Sequence, residues 1–228
     1  MTTPLTLHHF PLDPGSRFAR LVMGEKKLFF TEVAVRYWEP SPLLEALNPS
    51  GLVPVLVAGE GEERLVVCET RAIAGWAEEA APEPALMPES VAERAETRRL
   101  IQWFERKFDY EVNALLLHER MEKQLLRLGP PDSNAVRSGR EALRAHLAYV
   151  ESLLSERNWL ASERLTLADF AAAAHLSIHD YFGEAPWAEF PQTRLWYMKL
   201  KSRPCFRPLL SDRQPGMAPA PHYNVLDF

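Results

Sequence analysis

Residues Asn48 to Leu56 read Asn-Pro-Ser-Gly-Leu-Val-Pro-Val-Leu, a loop closed by Pro and Gly that runs straight into an apolar strand beginning with proline. Proline has no N–H to give to a ladder, so it belongs at a strand start or a sheet edge. In a tight turn at that place it is also a candidate for a cis peptide bond. Val53, just ahead of the strand, is then expected to keep its N–H and C=O outside the sheet. These are the two groups needed to pair antiparallel with the backbone of a bound peptide, as in strand addition.

The rest of the first third alternates short strands and helices. Leu5–Phe10 reads as a strand, Ser16 to about Lys27 as an apolar-periodic helix, Thr31–Arg36 as a second strand and Leu43–Leu47 as a short helix. Pro54–Ala58, a turn at Gly59–Glu62, a strand at Arg64–Cys68 and a helix at Thr70–Ala81 complete the order βαβαββα. Pro82, Pro84 and Pro88 then interrupt the pattern and mark a linker. Beyond them no strand is expected. Glu89–Leu128 and Ala135–Ser155 carry helical periodicity, Thr166 and Asp169 have the spacing of a capping box, and Gln192–Ser202 reads as a last helix. The expected organisation is 1–82 as an α/β domain, 83–88 as linker, 89–210 as an all-α domain and 211–228 as a tail.

Cys68-Glu69-Thr70-Arg71-Ala72-Ile73 follows the Asn48–Leu56 stretch, and together they resemble the glutathione S-transferase family, whose motifs read Asn-Pro-x-Gly-x-Val-Pro-x-Leu and Glu-Ser-x-Ala-Ile. The resemblance runs from about Leu5 to about Leu210. It implies a glutathione S-transferase fold, with a thioredoxin-like βαβαββα domain and a C-terminal helical domain, and a two-fold homodimer. It also implies roles for individual residues. Val53 with Pro54 would meet the peptide backbone of glutathione, and Glu69 and Thr70 would hold its γ-glutamyl end. The structural alternative for the latter two is a helix start, with Thr70 capping the first turn.

Conjugation needs thiolate below the free thiol pKa of about 8.5, hence a donor or positive dipole near the sulfur. The match of Ser16-Arg17-Phe18-Ala19-Arg20 to the family's helix opening puts Asp13 where the catalytic serine would fall. An ionised Asp cannot donate a hydrogen bond, and it repels a thiolate about 4 Å away by about 4 kcal/mol at an effective dielectric of about 20. Ser16 is the substitute if activity is kept, because a helix N-terminus favours an anion; otherwise it is an N-cap serine. In the loop Arg36–Ser41, Glu39 and Pro40 stand where a basic group for the glycyl carboxylate is expected, leaving Arg36 as the only positive charge. No cofactor is expected; glutathione is the small molecule the resemblance implies, and Asp13 works against it.

Composition excludes other classes. Of 228 residues, 46% are hydrophobic and 25% charged, enough for a core. A net charge of −5 gives no broad basic field, so nucleic acid is not an expected partner. The apolar run Ala171–Ala174 is far short of the about 20 residues a membrane span needs, and Met1–Thr6 lacks the basic and apolar regions of a secretory leader. With two distant cysteines, Cys68 and Cys205, the chain is expected in the reducing cytoplasm without redox chemistry. His175 and His179 have a metal-compatible i, i+4 spacing but lack the acidic residue of a zincin motif, so no metal site is expected. His8 and His9 face opposite sides of a strand. Phe104, Phe108, Leu115 and Leu116 read as core or dimer face; Arg98, Arg99 and Lys107 read as a solvated face.

Ser202–Leu210, Asp212–Gly216 and His222–Phe228 resemble more closely the transferase-like division proteins of alphaproteobacteria, which bind the tubulin-like GTPase FtsZ. That resemblance implies a non-catalytic factor at the division site that bundles and curves FtsZ filaments and promotes constriction; the alternative is a transferase conjugating glutathione to small electrophiles. The Pro-rich tail is expected to leave the helical domain extended and semi-rigid. It ends in Tyr223, Leu226, Asp227 and Phe228, which either fold back on the chain or join the partner surface. With Trp38 these are the expected partner-binding residues.

Overall fold

The computed structural model describes residues 3–227. Four strands, β1 (Leu5–His9), β2 (Thr31–Ala34), β3 (Val55–Ala58) and β4 (Leu65–Cys68), form one mixed sheet in the order β2-β1-β3-β4. β1 runs parallel to β2 and antiparallel to β3, and β3 is antiparallel to β4. Between the strands lie α1 (Pro14–Glu25) and α2 (Pro42–Leu47), and α3 (Thr70–Ala80) follows β4. The βαβαββα order is the expected one. Leu5, Leu7 and His9 of β1 are buried while Thr6 and His8 are partly open, the period of two that puts one face of a strand against a core.

The helical part is built around a rod that starts as α4 (Val91–Gln102), continues as a π-helical stretch (Trp103–Glu122) and ends in α5 (Lys123–Leu126). Leu128 N–H and a left-handed Arg127 close its end. Next come α6 (Ser133–Leu154), α7 (Leu167–Tyr181), α8 (Pro191–Lys201) and the short α9 (Arg207–Ser211). α9 lies beyond the last helix expected from the sequence; it has five residues, too few to show a period. Gly139 lets α6 approach the rod closely, since a Cβ there would come within 3.0 Å of Leu116 Cβ. Phe104, Phe108 and Leu116 face this interior, and Leu115 is half-buried.

α7 is the centre of the molecule, buried along its whole length. Its start is fixed by the expected capping box: the Asp169 carboxylate accepts from Thr166 N–H (2.8 Å) and Thr166 Oγ1 (2.9 Å), and also from Leu160 N–H and Trp196 Nε1 (both 2.9 Å). α1 packs on α7 from the sheet side, so one continuous apolar cluster runs from Leu7 and Leu56 of the sheet through Phe18 to Phe170 and Leu176.

The tail does not extend away. Ala220 N–H donates to Tyr181 O (2.7 Å), Tyr181 Oη to Met217 O (2.6 Å) and Tyr223 Oη to Leu209 O (2.9 Å), so Met217 and Tyr223 are buried against α7 and α9. Asp212, at the tail's root, accepts from Arg20 Nη1 (2.7 Å) and from Arg17 Nη2 (3.3 Å) of α1. The expectation of an extended, semi-rigid tail is corrected: the prolines stiffen it, but buried charge pairs and an aromatic anchor decide where it goes. Tyr223 therefore supports the fold from inside and cannot meet a partner. Leu226 and Asp227 stay exposed, and Phe228 lies outside the described residues.

Tyr223→Ala removes a wholly buried ring and is expected to cost about 3–5 kcal/mol, whereas Leu226→Ala, on the exposed tip, should cost less than about 0.5 kcal/mol. Urea denaturation of the two variants checks this; equal, small losses would mean that the tail is not anchored through Tyr223.

Candidate functional site

The groups singled out by the family motifs converge on a cleft of about 410 Å³ lined by Asp13, Pro14, Gly15, Val53, Glu69, Thr70, Arg71, Glu105, Arg106, Asp109 and His175. It lies between the sheet domain and the helical rod. Val53 precedes β3, so its backbone is outside the ladder, and the Val53–Pro54 bond is cis, as expected.

Glu69 is the most constrained residue here. Its φ of 73° and ψ of 145° fall in a region that glycine alone visits freely, at a cost of about 1–3 kcal/mol for other residues. Its carboxylate is held by Asn48 Nδ2 and Ser50 Oγ, each at 3.3 Å, and its N–H donates to Pro54 O at 3.3 Å. The loop Asn48–Gly51 and the strand opening thus fix Glu69 at the mouth of the cleft. Thr70 is the first residue of α3 but does not cap it, because Glu69 occupies the N-cap position and α3 has no side-chain cap. Its hydroxyl lies against Gly15, where a Cβ would come within 2.7 Å of Thr70 Oγ1.

Ser16 is not positioned as an activator. It is fully buried, its Oγ accepts from Phe10 N–H at 3.1 Å, and it is absent from the cleft wall. Nor is it the N-cap: that position belongs to Asp13, whose Oδ2 accepts from Ser16 N–H at 2.6 Å, with Pro14 following at the first helical turn. The motif match located the helix opening but not which of its residues faces outward.

Asp13 does line the cleft. Desolvation pushes its carboxyl up to about 6, against the hydrogen bonds from Ser16 that pull it down, and Asp109 and Glu122 push it further up. The side chain is half-buried, with one oxygen spent on the cap. A thiolate placed here meets several acids and no donor in the family's position.

The other residues named from the sequence are scattered. Arg36 is exposed and pairs with Glu39 at 3.3 Å, away from the cleft. Trp38 is half-buried in an edge-to-face cluster with Phe10 (4.9 Å) and Tyr37 (5.4 Å), which anchors the loop. It lines a second hollow with Glu39, Pro40, Leu44 and Leu52. His175 and His179 are both buried and are bridged by the Asn113 amide, at 2.9 and 2.8 Å. Burial lowers them to about 3 and about 4, so both are neutral. Sequence reading missed Asn113, Glu105, Arg106 and Asp109. The available signal was the one-turn spacing of Glu105, Asp109 and Asn113 on one helix face, which is hard to see in a helix that is charged nearly all round.

The family models place this geometry. The model of the glutathione S-transferase N-terminal domain matches residues 14–80, and that of the C-terminal domain matches 116–204. The chain is 63% identical to FtsZ-localized protein A of Caulobacter vibrioides over 228 residues, 100% of both chains. The solved structure of FzlA from C. crescentus superposes with a TM-score of 0.97 over 99% of this chain and 100% of that one. A glutathione S-transferase from Rhodospirillum rubrum F11 superposes with a TM-score of 0.94 at 42% identity, over 98% of this chain and 100% of that one.

A carboxyl raised to about 6 in the fold from 3.8 favours the folded state while it is protonated, and that contribution is lost as pH rises from about 4 through about 6. Asn caps a helix as well as Asp. Asp13→Asn is therefore expected to stabilise the protein by about 1 kcal/mol at about pH 8 and to be near neutral at about pH 4, in paired urea titrations. The same difference at both pH values would reject the raised carboxyl.

Proposed function

The chain belongs to the glutathione S-transferase family, and within that family we propose that it is a non-catalytic cell-division protein that binds FtsZ filaments, bundling and curving them to promote constriction. The observation that carries this reading is the 63% identity to FtsZ-localized protein A along the whole chain. The family models end at residue 204, yet that likeness continues through the tail. Family membership alone fits either a transferase or a binding protein. The transferase reading keeps Val53, Glu69 and Thr70 at the cleft but loses the activator at the family's position, since Ser16 is buried and Asp13 is an acid.

The mechanism is bivalency. A two-fold homodimer displays each binding patch twice, so one dimer bridges two filament subunits or two filaments. The dimer would bury the solvent face of the rod against the sheet domain of the partner copy, where α3 and α4 leave a hollow walled by Ala74, Gly75, Met87, Arg94 and Arg98. The filament-facing surface would include the tail tip, with Leu226 and Asp227 exposed on a fixed base, and the Trp38 loop. No described helix is long and apolar enough to cross a membrane. The expected place of action is the cytoplasmic division site.

Asp227→Lys is expected to melt like the parent, since an exposed charge reversal away from special features changes stability by less than about 0.5 kcal/mol. It should still weaken co-sedimentation with polymerised FtsZ, because charge mismatch at an interface costs several kcal/mol. Full co-sedimentation of the variant would remove Asp227 from recognition, and no co-sedimentation of the parent would overturn the function. Light scattering at micromolar concentration is expected to give twice the chain mass of 26.0 kDa. A single-chain mass would sink the bridging mechanism.

A further inference from the structure

The charge of the cleft lining bears on what it can hold. Its wall carries four carboxylates, Asp13, Glu69, Glu105 and Asp109, and two guanidinium groups, Arg71 and Arg106. Arg71 is already paired with Glu105 and hydrogen-bonded to Gln102, and Asn48 and Ser50 hold Glu69. One oxygen of Glu105, Oε1, is buried without a hydrogen-bond partner, a state that costs about 1–3 kcal/mol and that a ligand donor would relieve.

Close to Asp109 stands His175, 5% exposed. Asn113 fixes its tautomer. The amide donates from Nδ2 both to Asp109 Oδ1 and to His175 Nδ1, each at 2.9 Å, while its Oδ1 accepts from His179 Nε2 at 2.8 Å. His175 Nδ1 is thus an acceptor, and in a neutral ring the proton resides on Nε2. Burial and the neighbouring His179 hold the ring neutral, at about 3. Nε2–H has no partner among the described residues, on a ring that lines the cleft. The site therefore offers several carboxylate acceptors and, close to Asp109, one oriented neutral donor, with Arg71 already paired and the exposed Arg106 as its other cation.

We propose that this cleft binds a free peptide amino terminus, its ammonium among Asp13, Glu105 and Asp109 and its first carbonyl accepting from His175 Nε2–H, with Val53 alongside the extended backbone. Glutathione also carries an ammonium, but a carboxylate is attached to the same carbon, and a second carboxylate closes its other end. Four carboxylates against two guanidinium groups leave the lining net acidic, which disfavours both. An amino-terminal peptide brings the ammonium without the adjacent carboxylate. Asp109 has a double part, as counter-charge and, through Asn113, as the group that orients His175.

The test is a titration of the whole protein at neutral pH, followed by amide resonances in two-dimensional NMR, with alanyl-alanine amide as probe. Saturable shifts that include Val53, Glu69 and Thr70 are expected. N-acetylation of the probe removes the charge and should weaken binding about tenfold or more, the worth of a charge-assisted hydrogen bond. Methylamine, which has no carbonyl, should also bind more weakly than the dipeptide amide. Glutathione should bind no more tightly than the acetylated probe. Asp109→Asn is expected to weaken the dipeptide amide several-fold, and His175→Phe, which keeps a ring in the space, should bring its affinity down to that of methylamine. Absence of saturable shifts with the wild-type protein, equal binding of the acetylated probe, or tighter binding of glutathione would each overturn the assignment. Binding of methylamine as tight as that of the dipeptide amide would overturn the role of His175.

Discussion

Arg17 is the interaction on which the rest of the structure depends. It is a wholly buried guanidinium on α1, and it is tolerable there only because three separate segments serve it: Pro11 O at 2.7 Å from Nε, Ser177 Oγ at 2.8 Å from Nη1, and Asp212 at 3.3 Å from Nη2. A buried charge left unpaired costs several kcal/mol. The loop after β1, the central helix α7 and the root of the tail must therefore all be in place together. A planar fork with five donors suits this position in a way that an ammonium would not. Arg20, one turn on, repeats the pattern with Asp212 and Glu32, so α1 is tied to the tail and to the edge strand β2 by the same carboxylates.

A second buried charge completes the attachment of the tail. Asp180 accepts from Lys201 Nζ (3.0 Å), Trp187 Nε1 (2.9 Å) and Tyr197 Oη (3.1 Å), and pairs with His222 of the tail at 3.0 Å. Tyr223, the next residue, has its ring centroid 5.9 Å from the Arg17 guanidinium and 5.5 Å from Lys201 Nζ, so cations from two different helices bear on one aromatic ring. The tail beyond α9 is thus anchored in the core at Met217 and Tyr223, and from Asn224 to Asp227 it is exposed. Its exposed tip has a fixed origin, and a short tip on a rigid base loses less entropy on binding than an eighteen-residue flexible arm would.

The features legible in the sequence are those written within a few residues of one another. Pro54, directly ahead of β3, and the Thr166–Asp169 box each encode a local backbone decision; the bond before Pro54 is cis and the box is formed, as expected. What was missed depends on partners far away. Arg17 and Asp212 are 195 positions apart, so no window of the sequence shows that the tail returns. Ser16 failed for a subtler reason. The helix opening Asp13-Pro14-Gly15-Ser16 offers two good caps three residues apart, and the choice between them was made by Phe10, whose N–H takes the serine hydroxyl and leaves the cap to the aspartate. One turn of helix is enough to convert a candidate activator into a buried structural hydroxyl.

Glu69 shows how tightly a family site can be built into the frame of the fold. Its backbone strain is local, but the groups that hold it, Asn48, Ser50 and Pro54, are the same ones that open β3 and set the end of the sheet. Relaxing Glu69 would free the loop that positions Pro54 and with it the register of β3 on β1. The cleft is therefore retained as a by-product of a folded sheet, whatever sits in it. Its ligand chemistry is free to change through residues that the sheet does not need, such as Asp13 at the cap of α1 and Glu105, Asp109 and Asn113 on the rod. In this chain the backbone geometry of the cleft and its charge come from different elements, so the one can be held while the other varies.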